Sequence, residues 1–223
     1  CLSCGVRLVR TCIHFSWHGL SFDLNRQLFQ VKGRLDEYEL SIPLLGQHQL
    51  GNAATAVAAL EALAAKGFNI SRDSIANGLA QVSWPGRFQI LSHHPLLVVD
   101  GAHNPDSARR LKQSLEQYFS PDRAILVIGA SSDKDIAGVI SELAPLFNKV
   151  IVTRSRHPRA MAPALLKAEF VRHGVEAQVA EDIPSALSLA LTLAGTRNLI
   201  CVAGSLFMVA EAMEQANRLG LRL

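Results

Sequence analysis

The sequence has no G-x-x-x-x-G-K-[ST] loop and no G-x-G-x-x-G turn followed by an acidic partner. The first absence removes a Walker-type phosphate loop from this chain, and the second leaves nicotinamide binding without support. No apolar run is both long and uniform enough to span a bilayer. Excess charge is small, +3 at neutral pH, and the basic residues are dispersed except in Arg154-Ser155-Arg156-His157-Pro158-Arg159, so nothing argues for a nucleic-acid partner. That cluster reads as a solvated loop or as a face toward an anionic ligand. Cysteine is scarce, 4 in 223 residues. Cys1-Leu2-Ser3-Cys4 is a C-x-x-C, but no second pair and no suitably spaced His pair completes a zinc site. Cys12 lies in a strand-like run and Cys201 in an apolar one, where a free thiol acts as a small hydrophobic group. Reduced thiols and the lack of a secretory-leader pattern make a cytoplasmic protein the expectation.

Against these absences, 49% of the residues are hydrophobic, enough for one good core or two small ones in a chain of this length. Residues 1–42 alternate apolar and polar over short runs, as in Gly5-Val6-Arg7-Leu8-Val9-Arg10 and Gln27-Leu28-Phe29-Gln30-Val31-Lys32-Gly33, which predicts an antiparallel ribbon. An Ala-rich helix follows over 47–66, with Lys66-Gly67 as its stop, and a second runs from an N-cap at Ser71 to about Val82. Trp84-Pro85-Gly86 breaks the pattern and divides the chain into domains at 1–85 and 86–223. Beyond it, apolar strands at 96–100, 124–129, 149–153, 176–180 and 198–203 alternate with helices at 104–119, 135–147, 160–173, 183–195 and 205–219. Strands that are apolar throughout are buried on both faces, so the second domain is expected to be Rossmann-like, a mostly parallel doubly wound sheet.

The chemistry concentrates where strands end. Leu96-Leu97-Val98-Val99 runs into Asp100-Gly101-Ala102-His103 and then a helix entered through Asn104 as N-cap with Pro105 at its first position. Asp100 and His103 then project beyond the carboxyl end of a strand, where open α/β sheets hold ligands, next to the positive end of a helix. Arg87, in the Pro-Gly turn just upstream, carries the side chain best matched to phosphate oxygens. Asp and Asn are also ordinary turn and cap residues, and on local pattern both readings stand. His48 and Asn52 lie one turn apart on one face of the Ala-rich helix. Lys134 in Ser132-Asp133-Lys134-Asp135, Arg159 and Ser205 follow three further strands. Each is a candidate anion contact or part of a simple loop or cap, and for Ser205 both can hold, because a capping hydroxyl beside exposed N–H groups already suits a carboxylate.

Six segments, G-Q-H-Q-L-G-N-A-A-T-A (46–56), P-G-R-F-Q (85–89), D-G-A-H-N-P (100–105), S-D-K-D (132–135), H-P-R-A (157–160) and A-G-S-L-F (203–207), occur in one order. Together they resemble the C-terminal half of the folylpolyglutamate synthase/dihydrofolate synthase branch of the Mur ligases. The resemblance covers nearly everything after residue 40. It implies a remnant of a central ATPase domain at 1–85 and the Mur ligase C-terminal domain at 86–223. It implies ATP-dependent addition of L-glutamate to dihydropteroate or folates through an acyl phosphate, with Asn52 at the adenine, Arg87 at the phosphates, Asp100 at the ribose and His103 between nucleotide and glutamate. Ser205 would stand at the glutamate, Lys134 and Arg159 near anionic groups, and His48 at the helix entry. No catalytic residue and no metal ligand is assigned to this chain. ATP and Mg2+ are the implied cofactors, most of the metal ligands belonging to the part that carries the phosphate loop. The missing loop and the start at Cys1 rather than Met imply a fragment of a longer gene product, inert by itself, with apolar surface left open around 1–42. A monomer is implied for the full-length enzyme. A cell-wall amino-acid ligase of the same superfamily and a non-catalytic nucleotide- or glutamate-binding module remain as alternatives.

Overall fold

The computed structural model describes residues 14–119, 124–195 and 198–221. They form two compact units that meet at the Trp84 and Pro85 bond. Cys1, Cys4, Cys12 and the strand expected at 5–10 lie outside the described residues.

In the first unit, β1 (Ser16–Phe22), β2 (Gln27–Lys32) and β3 (Glu37–Ile42) make an antiparallel sheet in that order. Period-2 alternation puts Phe29 and Val31 of β2 with Tyr38, Leu40 and Ile42 of β3 on one face, where they are buried. The helix α1 (Gln47–Ala64) covers that face with Leu50, Ala53, Ala54, Val57 and Ala58. Alanine at the contact lets a helix backbone approach a sheet closely. α2 (Arg72–Ala80) starts where expected, with the Ser71 side chain accepting from the Ser74 N–H. All of β1 is exposed, including Trp17, Leu20 and Phe22.

Glu61 of α1 is a buried carboxylate that the sequence does not flag, a charged residue inside an Ala-rich helix. Its oxygens accept the N–H groups of Arg34 at 2.8 Å and Leu35 at 3.2 Å and the Tyr38 hydroxyl at 3.0 Å. The β2 to β3 turn is thereby fastened to the helix. Burial and this bond to Glu61 push the Tyr38 hydroxyl up to about 12.

The second unit is a six-stranded sheet in the order β4 (Gln89–His93), β5 (Leu96–Val99), β9 (Leu199–Ala203), β6 (Ala124–Ile128), β7 (Lys149–Val152), β8 (Ala177–Val179). β5 through β9 are parallel. β4 is an antiparallel edge strand that the sequence analysis did not assign. The helices are α3 (Pro105–Tyr118), α4 (Ile136–Leu143), α5 (Pro163–Arg172), α6 (Ile183–Ala194) and α7 (Leu206–Arg218). Two boundaries differ from expectation for the same reason. Pro145 converts the end of the helix expected over 135–147 into a 3-10 turn, Ala144–Leu146, and Pro163 sets the start of α5 at its own ring.

The connections from β5 to β6, β7 and β8 step one way across the sheet, whereas β8 to β9 steps back into the gap between β5 and β6. Right-handed crossovers therefore place α3, α4 and α5 on one face and α6 on the other. On the α6 face, Leu97, Val99, Ile125, Val127, Ile200 and Val202 pack with Ala186, Leu187 and Ala190 of α6 and Met208, Val209 and Ala212 of α7. Alternate residues Val98, Leu126, Ile128, Val150 and Val152 are equally buried toward the other side. The helix leaving β5 and the helix leaving β9 thus diverge to opposite faces. By the general rule for open α/β sheets, that divergence sets a ligand crevice beyond the carboxyl ends of β5 and β9.

Candidate functional site

Three strand ends meet at this crevice, each leaving through a glycine: Gly101 after β5, Gly204 after β9 and Gly129 after β6. Backbone bonds join them. Asp100 donates its N–H to the Val202 carbonyl at 3.0 Å, Gly101 to Gly86 at 3.0 Å and Gly204 to Ala102 at 2.8 Å. Gly204 has φ +112°, and a Cβ there would collide with the Gly129 carbonyl oxygen, so this position requires glycine. Gly101 leaves room for Leu206, whose Cδ2 lies 2.7 Å from where a Cβ would stand, and Arg87 Nη1 lies at ordinary contact, 3.4 Å, from the same point.

Asp100 sits at the centre, 8% exposed. Its Oδ2 accepts the Phe88 N–H at 2.8 Å and its Oδ1 the Ala102 N–H at 2.8 Å. Burial pushes its carboxyl up, opposed by these two bonds and by the charges of Arg87 and His103. Phe88 has φ +42°, unusual for a bulky residue, and its buried ring packs 5.6 Å from Tyr118 and 6.2 Å from Phe119. Arg87, half-buried, leaves this pinned turn toward Gly101. His103 places Nδ1 2.9 Å from the Gly101 carbonyl, which can only accept, so Nδ1 carries the proton and Nε2 is the free acceptor in the neutral ring. Asn104 caps α3 as the sequence implied: its Oδ1 accepts from the Ser107 N–H at 2.8 Å while the Ser107 hydroxyl accepts from the Asn104 N–H at 3.1 Å.

Ser205 caps α7, its Oγ accepting from the Met208 N–H at 3.1 Å, which leaves its hydroxyl proton to donate. The exposed Phe207 ring stacks on His157 with centroids 4.0 Å apart. Lys134 and Arg159, singled out separately in the sequence, come together here on one carboxylate: Asp133 lies 3.3 Å from Lys134 Nζ and 3.8 Å from Arg159 Nη1. The Lys134 hydrogen bond holds the exposed Asp133 carboxyl below its usual range. Asp135 is a cap, accepting from the Gly138 N–H at 3.0 Å. Within the basic cluster, Arg156 is committed elsewhere, its N–H donating to Glu211 at 2.8 Å and its guanidinium to Glu214 at 2.8 Å. These partners are more than fifty residues away in sequence, and no local pattern announces them.

In the first unit, Asn52 is exposed on α1 and donates to Gln49 Oε1 at 2.9 Å. His48 is half-buried one turn before it. Gly46, φ +101°, opens α1 with no side-chain cap. The buried Gln27 side chain fixes this entry, donating to the carbonyls of Leu44 at 2.7 Å and Gly46 at 3.1 Å. Among the described residues no group of three or more His, Cys, Asp or Glu could hold a metal ion. Cys201, inside β9, is fully buried, and burial pushes its thiol up, which leaves it unreactive.

The unit that carries this crevice matches the family model described as "Mur ligase, glutamate ligase domain" over residues 86–206. The chain belongs to the Mur ligase family. Its similarity within the family runs to the folate branch. The dihydrofolate synthase/folylpolyglutamate synthase of Mycobacterium tuberculosis is 34% identical over 172 residues, covering 75% of this chain and 35% of that protein. A Mycobacterium tuberculosis folylpolyglutamate synthase complexed with ADP superposes with a TM-score of 0.80 at 29% identity, covering 89% of this chain and 47% of that one. A bifunctional folylpolyglutamate synthase/dihydrofolate synthase with Mn, AMPPNP and L-glutamate bound gives 0.73 at 29% identity, covering 90% and 46%. The Mur ligase chain described here thus spans half or less of the length of these proteins. No helix among its described residues is long and apolar enough to cross a membrane.

Proposed function

We propose that this chain is the nucleotide- and glutamate-binding part of an ATP-dependent ligase of the cytoplasm that joins L-glutamate to dihydropteroate or a folate. The observation that carries the reading is the convergence of Arg87, His103 and Ser205 on one crevice in the unit that matches the glutamate ligase domain. In this reaction a substrate carboxylate oxygen takes the terminal phosphoryl group of ATP, giving an acyl phosphate and ADP. The glutamate amine then attacks the acyl carbon, loses a proton, and phosphate leaves.

In this reading Arg87 bears on the nucleotide phosphates, and Asn52, from the remnant of the central domain, on the adenine. Asp100 is part of the nucleotide wall, and His103 offers Nε2 between nucleotide and amino acid. Ser205 donates to a glutamate carboxylate beside the first turn of α7. Lys134 and Arg159 supply anion contacts once Asp133 gives way. These residues bind and orient. With no phosphate loop in the sequence, this reading gives the chain binding and orienting roles and leaves activation of the phosphoryl group to another part of the enzyme.

Calorimetric titration of the 223-residue chain with ADP and with L-glutamate tests this, followed by an assay with ATP, magnesium, glutamate and dihydropteroate or tetrahydrofolate. Binding of both ligands without turnover is expected. A chain that binds neither overturns the reading, and folate- and glutamate-dependent ADP release by this chain alone overturns its half-site character.

A further inference from the structure

We propose that Leu206 is a positioning residue that fixes the Arg87 turn and the Ser205 cap against each other, so that one apolar side chain serves both the nucleotide and the glutamate contact. The proposal rests on the reading above, with Arg87 at the phosphates and Ser205 at the amino acid, and specifies what holds these two at one spacing. Ser205 caps α7, and Leu206 is the first residue of that helix. Its Cδ2 lies 2.7 Å from where a Cβ on Gly101 would stand and 3.6 Å from where one on Gly86 would. Val209, three residues on along the same face, brings its Cγ1 to 2.8 Å from that point on Gly86. Two glycines without Cβ atoms thus make the seat on which the first turn of α7 rests.

The seat is tied together from below. Gly101 donates its N–H to the Gly86 carbonyl at 3.0 Å, and the Gly86 N–H is closed onto Gln89 Oε1 at 2.9 Å. Arg87 follows Gly86 directly, and its Nη1 lies 3.4 Å from the same point on Gly101 that Leu206 crowds. Leu206 therefore bounds one side of the space open to the guanidinium. The two apolar residues of this turn divide the work. Val209 is buried and anchors the helix to the core, whereas Leu206 is 46% exposed, so its truncation removes little buried area. What truncation removes is the contact that keeps the guanidinium and the capping hydroxyl at a fixed separation. Contacts from these two groups to a phosphate and to a carboxylate are charge-assisted and depend on direction.

The test is calorimetric binding of ADP and of L-glutamate by the 223-residue chain as wild type, Leu206→Ala, Leu206→Met and Gly101→Ala. Leu206→Ala should weaken each ligand by about fivefold, and Leu206→Met, which restores the volume, should bind both as wild type does. In an Arg87→Met background Leu206→Ala should no longer change ADP affinity, and in a Ser205→Ala background it should no longer change glutamate affinity. Gly101→Ala reaches the contact from the other side, because its methyl displaces the tip of Leu206. It should weaken both ligands in an otherwise wild-type chain and have no further effect beside Leu206→Ala. Unchanged affinity for either ligand in Leu206→Ala overturns the proposal. So do losses that persist in full in the Arg87→Met and Ser205→Ala backgrounds, which is what a general loosening of the fold gives. Should Leu206→Ala not fold, Gly101→Ala in the same two backgrounds decides by the same outcomes. A wild-type chain that does not bind both ligands overturns the reading of the site, and this role with it, which keeps that failure apart from the others.

Discussion

The two sheets of this chain solve burial differently. The six-stranded sheet buries both faces of β5, β6, β7 and β9, and its candidate site is assembled from strand ends held by backbone hydrogen bonds. The three-stranded sheet is covered by α1 on one face and ends in β1, where Trp17, Leu20 and Phe22 are about half exposed. Its candidate residues, His48 and Asn52, ride on the surface of one helix. A side chain fixed by a saturated backbone network has one geometry to offer, whereas one on a helix surface depends on whatever faces that helix.

The sharpest way to break this contrast is to remove one large apolar side chain from each unit. Phe170→Ala, in the fully buried core of the second unit, is expected to cost about 3–5 kcal/mol, and Trp17→Ala on β1 under about 1 kcal/mol. Urea unfolding checks both, and equal losses would show that β1 is as tightly packed as the core. Next is the buried carboxylate of the first unit. Glu61→Ala leaves the Arg34 and Leu35 amides and the Tyr38 hydroxyl without their acceptor and should destabilise that unit by about 2–3 kcal/mol, read by the same method.

Arg87→Met tests the site of the second unit without touching its core. The expected loss in nucleotide binding is about 1.5–3 kcal/mol with an unchanged melting temperature. A folded variant with unaltered ADP affinity would remove Arg87 from the site. The smallest effect is in pH. Because Tyr38 is raised from 10.0 to about 12 in the folded chain, the folded state holds a proton that the unfolded chain gives up. Its contribution is complete below pH 10 and is lost as pH rises toward 12. Tyr38→Phe should remove that part of the alkaline decline, and an identical alkaline profile in wild type and variant would refute the assignment.

Periodicity and punctuation made most of the architecture legible. Apolar runs of strand length marked β5, β6, β7 and β9, and the caps Ser71, Asn104 and Ser205 are where a short polar side chain before a helical pattern put them. β4 was not visible, because an edge strand with one buried face and a turn at each end carries a weak signal. Helix ends at Pro145 and Pro163 were placed wrongly by a few residues, although the prolines that moved them were in plain view.

By itself the sequence determined which residues lie near the strand ends, since strand, turn and helix are local matters of sterics and hydrophobic spacing. Only the tertiary structure decided how they combine. It set Asp100 onto the amide of Phe88, brought Lys134 and Arg159 to Asp133, and turned Arg156 away to Glu211 and Glu214. Those pairings join residues separated along the chain by strand order and crossover. The β8 to β9 step back across the sheet, a choice made by packing both faces at once, brings β9 between β5 and β6 and gives the crevice its walls.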